Sequence, residues 1–155
     1  MHAHRDSSGA ITQPPLIYAA FLALGLGLDW RWPVPLMAQP AQYASGLLLF
    51  VPGLVLVLWA ARQFMHAGTS LQVNHPSTTL VVAGPYQYSR NPIYLGLTLA
   101  YLGVAAAIDS MWLFLMIAAI LPALHYGVII REETYLERIF GEVYRRYRTE
   151  VRRWL

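Results

Sequence analysis

The stretch NPIYLGLTLAYLGVAAAIDSMWLFLMIAAILPALHYGVIIREE, residues 91–133, contains two long apolar runs separated only by Asp109 and Ser110. Apolar runs of about this length are typical of helices that cross a membrane. Because the connection is so short, the second helix must return beside the first. The stretch therefore predicts a helical hairpin whose last residues, Glu132 and Glu133, lie near its first residue, Asn91.

The rest of the chain extends this hairpin into a membrane domain. Of 155 residues, 57% are hydrophobic and 12% are charged, which is about half the charged share of a soluble domain. The sequence predicts an all-α integral membrane protein with about four transmembrane helices, in a single domain over 1–155. The predicted spans are 15–32, 43–61, 92–108 and 110–130, followed by cytosolic helices over 132–153. The first span could instead be a signal peptide, since Arg5 precedes it.

The placement of arginine predicts the orientation in the membrane. All eleven basic residues are Arg, six of them lie in the last eighteen positions, and the connection at 109–110 carries none. Positive charge stays on the cytoplasmic side, so both termini are expected there. The basic tail is interleaved with Glu, which favours an amphipathic helix at a lipid surface over nucleic-acid binding. Arg without Lys hints at a GC-rich bacterial genome, and hence at a bacterial inner membrane.

The segment GPYQYSRNPIYLG, residues 84–96, has the composition of a binding loop that leads into a helix. Asn91 is a preferred N-cap and Pro92 a preferred first helical residue. The start of such a helix attracts a carboxylate or a phosphate, and Arg90 adds a positive charge beside it. The tyrosines of the segment can offer flat faces to a ring system.

Glu132 and Glu133 supply the opposite charge across the hairpin. Two carboxylates at the end of an apolar helix oppose its dipole, and a cationic partner would offset that cost. At ~1.5 Å per residue the two helices are ~25 Å and ~33 Å long, so the carboxylates should face the binding loop. A ligand with a carboxylate, a sulfonium and a planar base fits such a cleft, and S-adenosylmethionine is one. Arg90, Glu132 and Glu133 are the candidate catalytic residues.

Three segments carry a resemblance to a known family: FMHAGT (64–69), GPYQYSRNPIYLG (84–96) and REETYLERIFGEVYRRYRTEVRRW (131–154). Together they resemble the isoprenylcysteine carboxyl methyltransferases and the wider group of membrane phospholipid methyltransferases. The resemblance implies an isoprenylcysteine O-methyltransferase-like enzyme whose S-adenosylmethionine pocket faces the cytosol, under a lid formed by the tail. It also implies cofactor binding by Gly84, Tyr86, Asn91, Pro92, Tyr94, Gly96, Glu132 and Glu133. The isoprenylcysteine enzymes usually have a His where this chain has Asn91, so no proton shuttle is expected at that position.

The expected acceptor is lipophilic and enters sideways from the bilayer, with a carboxylate, amine or thiol as its head. Tyr101 and His125 are predicted to line its path, because each lies on the same helical face as a site residue, Tyr94 and Glu132 respectively. No metal site is expected, since the chain lacks Cys and has no pair of His at ligand spacing. Two other functions stay open: a membrane reductase that binds a nicotinamide cofactor, and a non-enzymatic membrane subunit with an Arg-rich tail.

Overall fold

The computed structural model describes residues 13–68 and 79–155, and every regular element within these two ranges is helical. Arg5 and Thr69, which belong to the sequence predictions above, lie outside the described residues. The prediction of an all-α protein is confirmed. The α-helices are α1 (Pro14–Arg31), α2 (Ala41–Ala67), α3 (Pro92–Ile108), α4 (Met111–Leu124), α5 (Ile130–Phe140) and α6 (Glu142–Glu150), with a 3₁₀ helix at Gly84–Gln87 and a π-helical turn at His125–Ile129.

The predicted hairpin is formed by α3 and α4, and its turn is held by side chains. Asp109 ends α3 in the left-handed conformation, with φ of 61°, and Ser110 caps the first turn of α4. The Asp109 carboxylate accepts hydrogen bonds from the backbone N–H groups of Leu36 and Met37, both at 2.9 Å. The same carboxylate therefore fixes the hairpin turn and the connection between α1 and α2.

Close approach of the backbones joins α2 to α3. A Cβ atom on Gly53 of α2 would lie 2.7 Å from the carbonyl oxygen of Gly96, and one on Gly103 of α3 would lie 2.7 Å from the Cα of Phe50. Only glycine fits at these crossings, as is common where apolar helices pack through small residues. The core proper lies between α1, α3 and α4, and its buried members are Tyr18, Tyr94, Tyr101, Ala105, Leu113, Ile120, Leu124, Val128 and Ile129.

The prediction of about four transmembrane helices is wrong by length and composition. In the described ranges two helical stretches are long and apolar enough to cross a membrane, Ala41–Ala67 and Met111–Phe140. Helix α1 has 18 residues, and the charged pair Asp29 and Arg31 falls in its last turn. Helix α3 is apolar but has only 17 residues.

The second of these stretches is one continuous helical path from α4 into α5. A π-helical turn at His125–Ile129 joins the two helices, and the N–H of Ile130 donates to the carbonyl of His125. Single π-helical turns of this kind occur frequently at functional sites. The path stops at Gly141, whose φ of 53° an L-residue rarely adopts, and α6 follows. The tail is therefore divided at Gly141 into two helices.

Candidate functional site

Glu132 and Tyr94 meet where the two ends of the hairpin come together. The Tyr94 hydroxyl lies 2.7 Å from one carboxylate oxygen of Glu132 and 2.9 Å from the other. Tyr94 is in the first turn of α3, and Glu132 is in the first turn of α5. The return of the hairpin thus brings the binding loop and the carboxylates together.

Glu133 points to a different set of partners, two arginines. The Arg153 guanidinium donates to both carboxylate oxygens, at 2.9 and 2.7 Å, a bidentate arrangement that is among the stronger pairings of side chains. Arg90 lies 3.0 Å from the same carboxylate, although this contact is not aligned as a hydrogen bond. The Glu133 side chain is only 11% exposed. Its negative charge is therefore buried and balanced by two cations from the protein itself.

The last residues of the chain bind the loop that precedes α3. The backbone N–H of Arg90 donates to the carbonyl of Arg152 at 3.0 Å. The Asn91 side-chain amide donates to the carbonyl of Arg153 at 3.0 Å, and Ser89 also donates to it. Asn91 does occupy the N-cap position of α3, but its side chain makes no cap hydrogen bond. The sequence predicted that the Asn91 side chain would cap the helix. In the structure it binds the tail instead.

Helix α6 is fastened to the 3₁₀ helix by a buried phenol. The Tyr147 hydroxyl donates to the carbonyl oxygen of Tyr86 at 2.7 Å. Burial raises the pKa of Tyr147 and of Tyr86, so both hydroxyls stay protonated at neutral pH. Tyr86 in turn packs edge-on against Phe64 of α2, with 5.5 Å between the ring centroids. This contact ties the tail to α2 through the 3₁₀ helix.

Comparison with known proteins identifies the family of the chain. The sequence profile described as phospholipid methyltransferase matches residues 41–143, which is more than half of the chain. The chain belongs to the phospholipid methyltransferase family. The predicted likeness to membrane phospholipid methyltransferases is thereby confirmed, and the family is one of membrane enzymes that methylate lipids. The matched residues run from the beginning of α2 into α6.

Two relatives are similar to parts of the chain. Phosphatidylethanolamine N-methyltransferase B of Dictyostelium discoideum is 30% identical over 108 residues, which cover 66% of this chain and 53% of that enzyme. The chain thus spans about half the length of that relative. An uncharacterized protein of Haemophilus influenzae is 43% identical over 63 residues, 41% of this chain and 79% of that protein. No solved structure matches the chain.

The structure brings some of the predicted site residues together and leaves others apart. Around the hairpin ends it gathers Arg90, Asn91, Tyr94, Glu132 and Glu133. Gly84 begins the 3₁₀ helix with φ of 62°, and Pro92 is buried at the first position of α3. Gly96 faces α2, where a Cβ atom would meet Gly53 and Val57, so it serves the crossing of the helices and not the cluster at Glu132.

The two residues predicted for the substrate path have different neighbours. Tyr101 lies in the core between α1, α3 and α4. The His125 ring packs against Tyr126, with 4.8 Å between centroids. The π-helical turn that begins at His125 holds more residues per turn than an α-helix. With regular α-helical spacing His125 and Glu132 would share one face of the helix. The π-helical turn therefore rotates Glu132 away from the face that carries His125.

Sequence reasoning missed two residues that organise the site in this phospholipid methyltransferase family member, Arg153 and Tyr18. Arg153 lies in a tail whose many Arg residues gave no sign of which one turns inward. Tyr18 of α1 donates to the carbonyl of Tyr94 at 3.0 Å. A polar residue inside an otherwise apolar run was the available signal for Tyr18, because such residues need a partner.

The charges of the two carboxylates give the site its chemical character. Among the described residues Glu133 has two cationic partners, whereas no Lys, Arg or His lies within salt-bridge distance of Glu132. Within the described ranges the hydrogen-bond partner of the Glu132 side chain is the neutral Tyr94 phenol, which leaves the carboxylate available to a cationic ligand. The described residues contain no group of three His, Asp or Glu that could hold a metal ion, and a metal-free site stays a prediction.

Proposed function

We propose that this family member transfers a methyl group from S-adenosylmethionine to the amine head of a membrane phospholipid of the ethanolamine type. One observation carries the proposal: Glu132 is a half-buried carboxylate with no cationic partner among the described residues, beside a tyrosine at the start of a helix. A carboxylate removed from water favours a cation strongly. Both the sulfonium of the cofactor and the ammonium of such a lipid are cations.

The residues present fit the cofactor. S-adenosylmethionine supplies an electrophilic methyl group on a positively charged sulfur. Glu132 would face that sulfur, and Tyr94 would offer an aromatic wall next to it. The backbone N–H groups of the first turn of α3, beyond Pro92, would face the carboxylate of the cofactor. These groups lie on the Glu132 side of the hairpin end. A cofactor bound there would leave the pairing between Glu133 and the arginines intact.

The charge of Glu132 favours an amine over a carboxylate as the acceptor. An isoprenylcysteine carboxylate would be repelled by Glu132, and neither the family description nor these two relatives names such a substrate. An ammonium head would be attracted. Glu132 is placed to accept a proton from it, which exposes the lone pair of nitrogen. The N–C bond would then form as the methyl C–S bond of the sulfonium breaks, with S-adenosylhomocysteine as the leaving group. General-base assistance of this kind contributes about 10²–10⁴-fold in rate.

The tail would act as a lid over this site. The Arg153 carbonyl and the Tyr147 hydroxyl bind the tail to Asn91 and Tyr86 of the binding loop, and the Arg153 side chain binds Glu133. A closed cover of this kind keeps water from the reacting atoms. The acceptor would come from the bilayer and the cofactor from the aqueous side. We place the protein in a bacterial inner membrane, as a single domain with its C-terminal tail in the cytoplasm.

Reconstitution with defined acceptors tests the proposal. Purified protein in vesicles of phosphatidylglycerol, with or without phosphatidylethanolamine, would receive radiolabelled S-adenosylmethionine. We expect label in the lipid fraction only when phosphatidylethanolamine is present. Label in a farnesylcysteine analogue but not in the amine lipid would contradict the choice of acceptor. Calorimetric binding of NADPH without binding of S-adenosylhomocysteine would favour a reductase, and binding of neither would favour a non-enzymatic subunit.

A further inference from the structure

A stripe of hydroxyl groups runs along α3, away from the carboxylate cluster. Tyr94, Thr98 and Tyr101 are spaced at i, i+4 and i+7 and therefore share one face of the helix. The Thr98 hydroxyl donates to the carbonyl of Tyr94 at 2.8 Å. From α1, the Tyr18 hydroxyl lies 2.7 Å from that of Thr98 and also donates to the Tyr94 carbonyl. At the Tyr94 end of the stripe the hydroxyl groups are thus all hydrogen bonded.

The other end of the stripe, at Tyr101, has an unpaired hydroxyl among the described residues. Tyr101 is 5% exposed, yet its hydroxyl has no hydrogen-bond partner among the described residues. Its nearest aromatic neighbour is Tyr18, with 6.1 Å between the ring centroids, and the surrounding core is otherwise aliphatic and aromatic. A buried donor without an acceptor is unfavourable, and phenylalanine would fill the same volume without that cost. We therefore expect the hydroxyl to donate a hydrogen bond to an acceptor that does not belong to the described residues.

We propose that the Tyr101 hydroxyl donates a hydrogen bond to an ester carbonyl of the lipid acceptor, and that the enzyme is thereby selective for ester-linked glycerolipids. The inference rests on the proposed function, because it takes the lipid head to lie at Glu132. Because Tyr18 of α1 packs against Tyr101 in the core, α1 would move aside on lipid binding so that an acyl chain brings its ester group to this hydroxyl. Tyr101 would act as a positioning residue, since it contacts the lipid far from the reacting nitrogen.

The distances agree with this placement. Seven residues separate Tyr94 from Tyr101, which corresponds to ~10.5 Å along α3. In an ethanolamine glycerophospholipid about nine bonds lie between the amine nitrogen and the carbonyl carbon of an ester. An extended chain advances ~1.2 Å per bond, so that separation is roughly 11 Å. A lipid with its nitrogen near Glu132 and Tyr94 therefore carries an ester oxygen to the level of Tyr101.

Lipid binding with and without the ester carbonyl tests the inference. Dialkyl phosphatidylethanolamine has ether links in place of the two esters and matches the diacyl lipid otherwise. Each lipid would displace a spin-labelled phosphatidylethanolamine from purified protein in maltoside detergent. One neutral hydrogen bond corresponds to about a three- to tenfold preference, so we expect the diacyl lipid to bind about that much more tightly than the dialkyl lipid.

Two variants of the protein test whether the Tyr101 hydroxyl causes the preference for the diacyl lipid. Tyr101→Phe should bind both lipids equally, while the matched control Tyr126→Phe, whose parent side chain is exposed on the π-helical turn, should keep the wild-type preference. A preference that survives in Tyr101→Phe, or none in the wild type, would overturn the inference. The binding assay needs no turnover, so an ester preference without methyl transfer would count against the proposed function alone.

Thermal unfolding separates this role from a purely structural one. In detergent without added lipid, Tyr101→Phe should melt at or above the wild-type temperature, because the substitution removes an unpaired buried hydroxyl. Diacyl lipid should then raise the melting temperature of the wild type more than that of the variant. A lower melting temperature of Tyr101→Phe without lipid would show that the hydroxyl already has a partner in the protein, and would contradict the inference.

Discussion

Adjacent residues can differ sharply in role when a helix turns them toward different neighbours. Glu132 points to Tyr94, and Glu133 points to Arg90 and Arg153. In sequence the two carboxylates looked equivalent, and both were expected to bind the cofactor. Glu133 secures the tail through Arg153, and we propose that Glu132 faces the ligands.

Glu133→Gln should therefore affect stability before it affects chemistry. The substitution removes the charge that Arg153 and Arg90 share, and we expect the free energy of unfolding to fall by about 1.5–3 kcal/mol. Glu142→Gln is the matched control, because Glu142 forms an ion pair with Arg145 and its own side chain is 83% exposed. Such exposed pairs contribute about 1 kcal/mol or less. Denaturant titration in detergent measures both, and equal unfolding curves for the two variants would refute the assignment of Glu133.

Helices α2 and α3 approach each other so closely that side-chain volume at their crossing is restricted. We expect Gly103→Ala to destabilise the protein by about 1–3 kcal/mol, because the new methyl group would lie 2.7 Å from the Cα of Phe50. The matched control is Gly27→Ala in α1, where a Cβ atom would meet nothing within 4 Å. The control should be neutral or more stable by up to about 1 kcal/mol. Melting temperatures in detergent would test the pair, and a stable Gly103→Ala would contradict the crossing.

For the molecule as a whole, the orientation in the membrane is the first quantity to measure. The chain has no cysteine, so single-cysteine variants report on one position each. Leu36, in the loop bound by Asp109, is 53% exposed, whereas Ser110 in the hairpin turn is buried and unsuited to labelling. A membrane-impermeant maleimide should label Leu36→Cys from outside intact cells, and Thr149→Cys of the tail only in inverted vesicles. Labelling of Leu36→Cys only in inverted vesicles would reverse the proposed topology.

The sequence was sufficient for those features that follow from chain connectivity. A two-residue turn between apolar runs required the hairpin, and helix rise then placed Glu132 near Tyr94. Other features depend on contacts between distant segments, such as the bond from Asn91 to the Arg153 carbonyl. The π-helical turn at His125–Ile129 was not predicted, and it changes the face assigned to His125 relative to Glu132. The number of spans was overestimated because apolar composition alone does not separate a crossing helix from a shorter one.

The central claim, that Glu132 is the charge that recognises and deprotonates the lipid amine, is tested most directly by the methyl-transfer rate of Glu132→Gln. In vesicles that contain phosphatidylethanolamine, kcat should fall by about 10²-fold or more. Folding should be retained, since the amide can still accept the hydrogen bond from Tyr94, and Glu142→Gln should keep the wild-type rate. A Glu132→Gln protein that methylates the lipid as fast as the wild type would contradict the account.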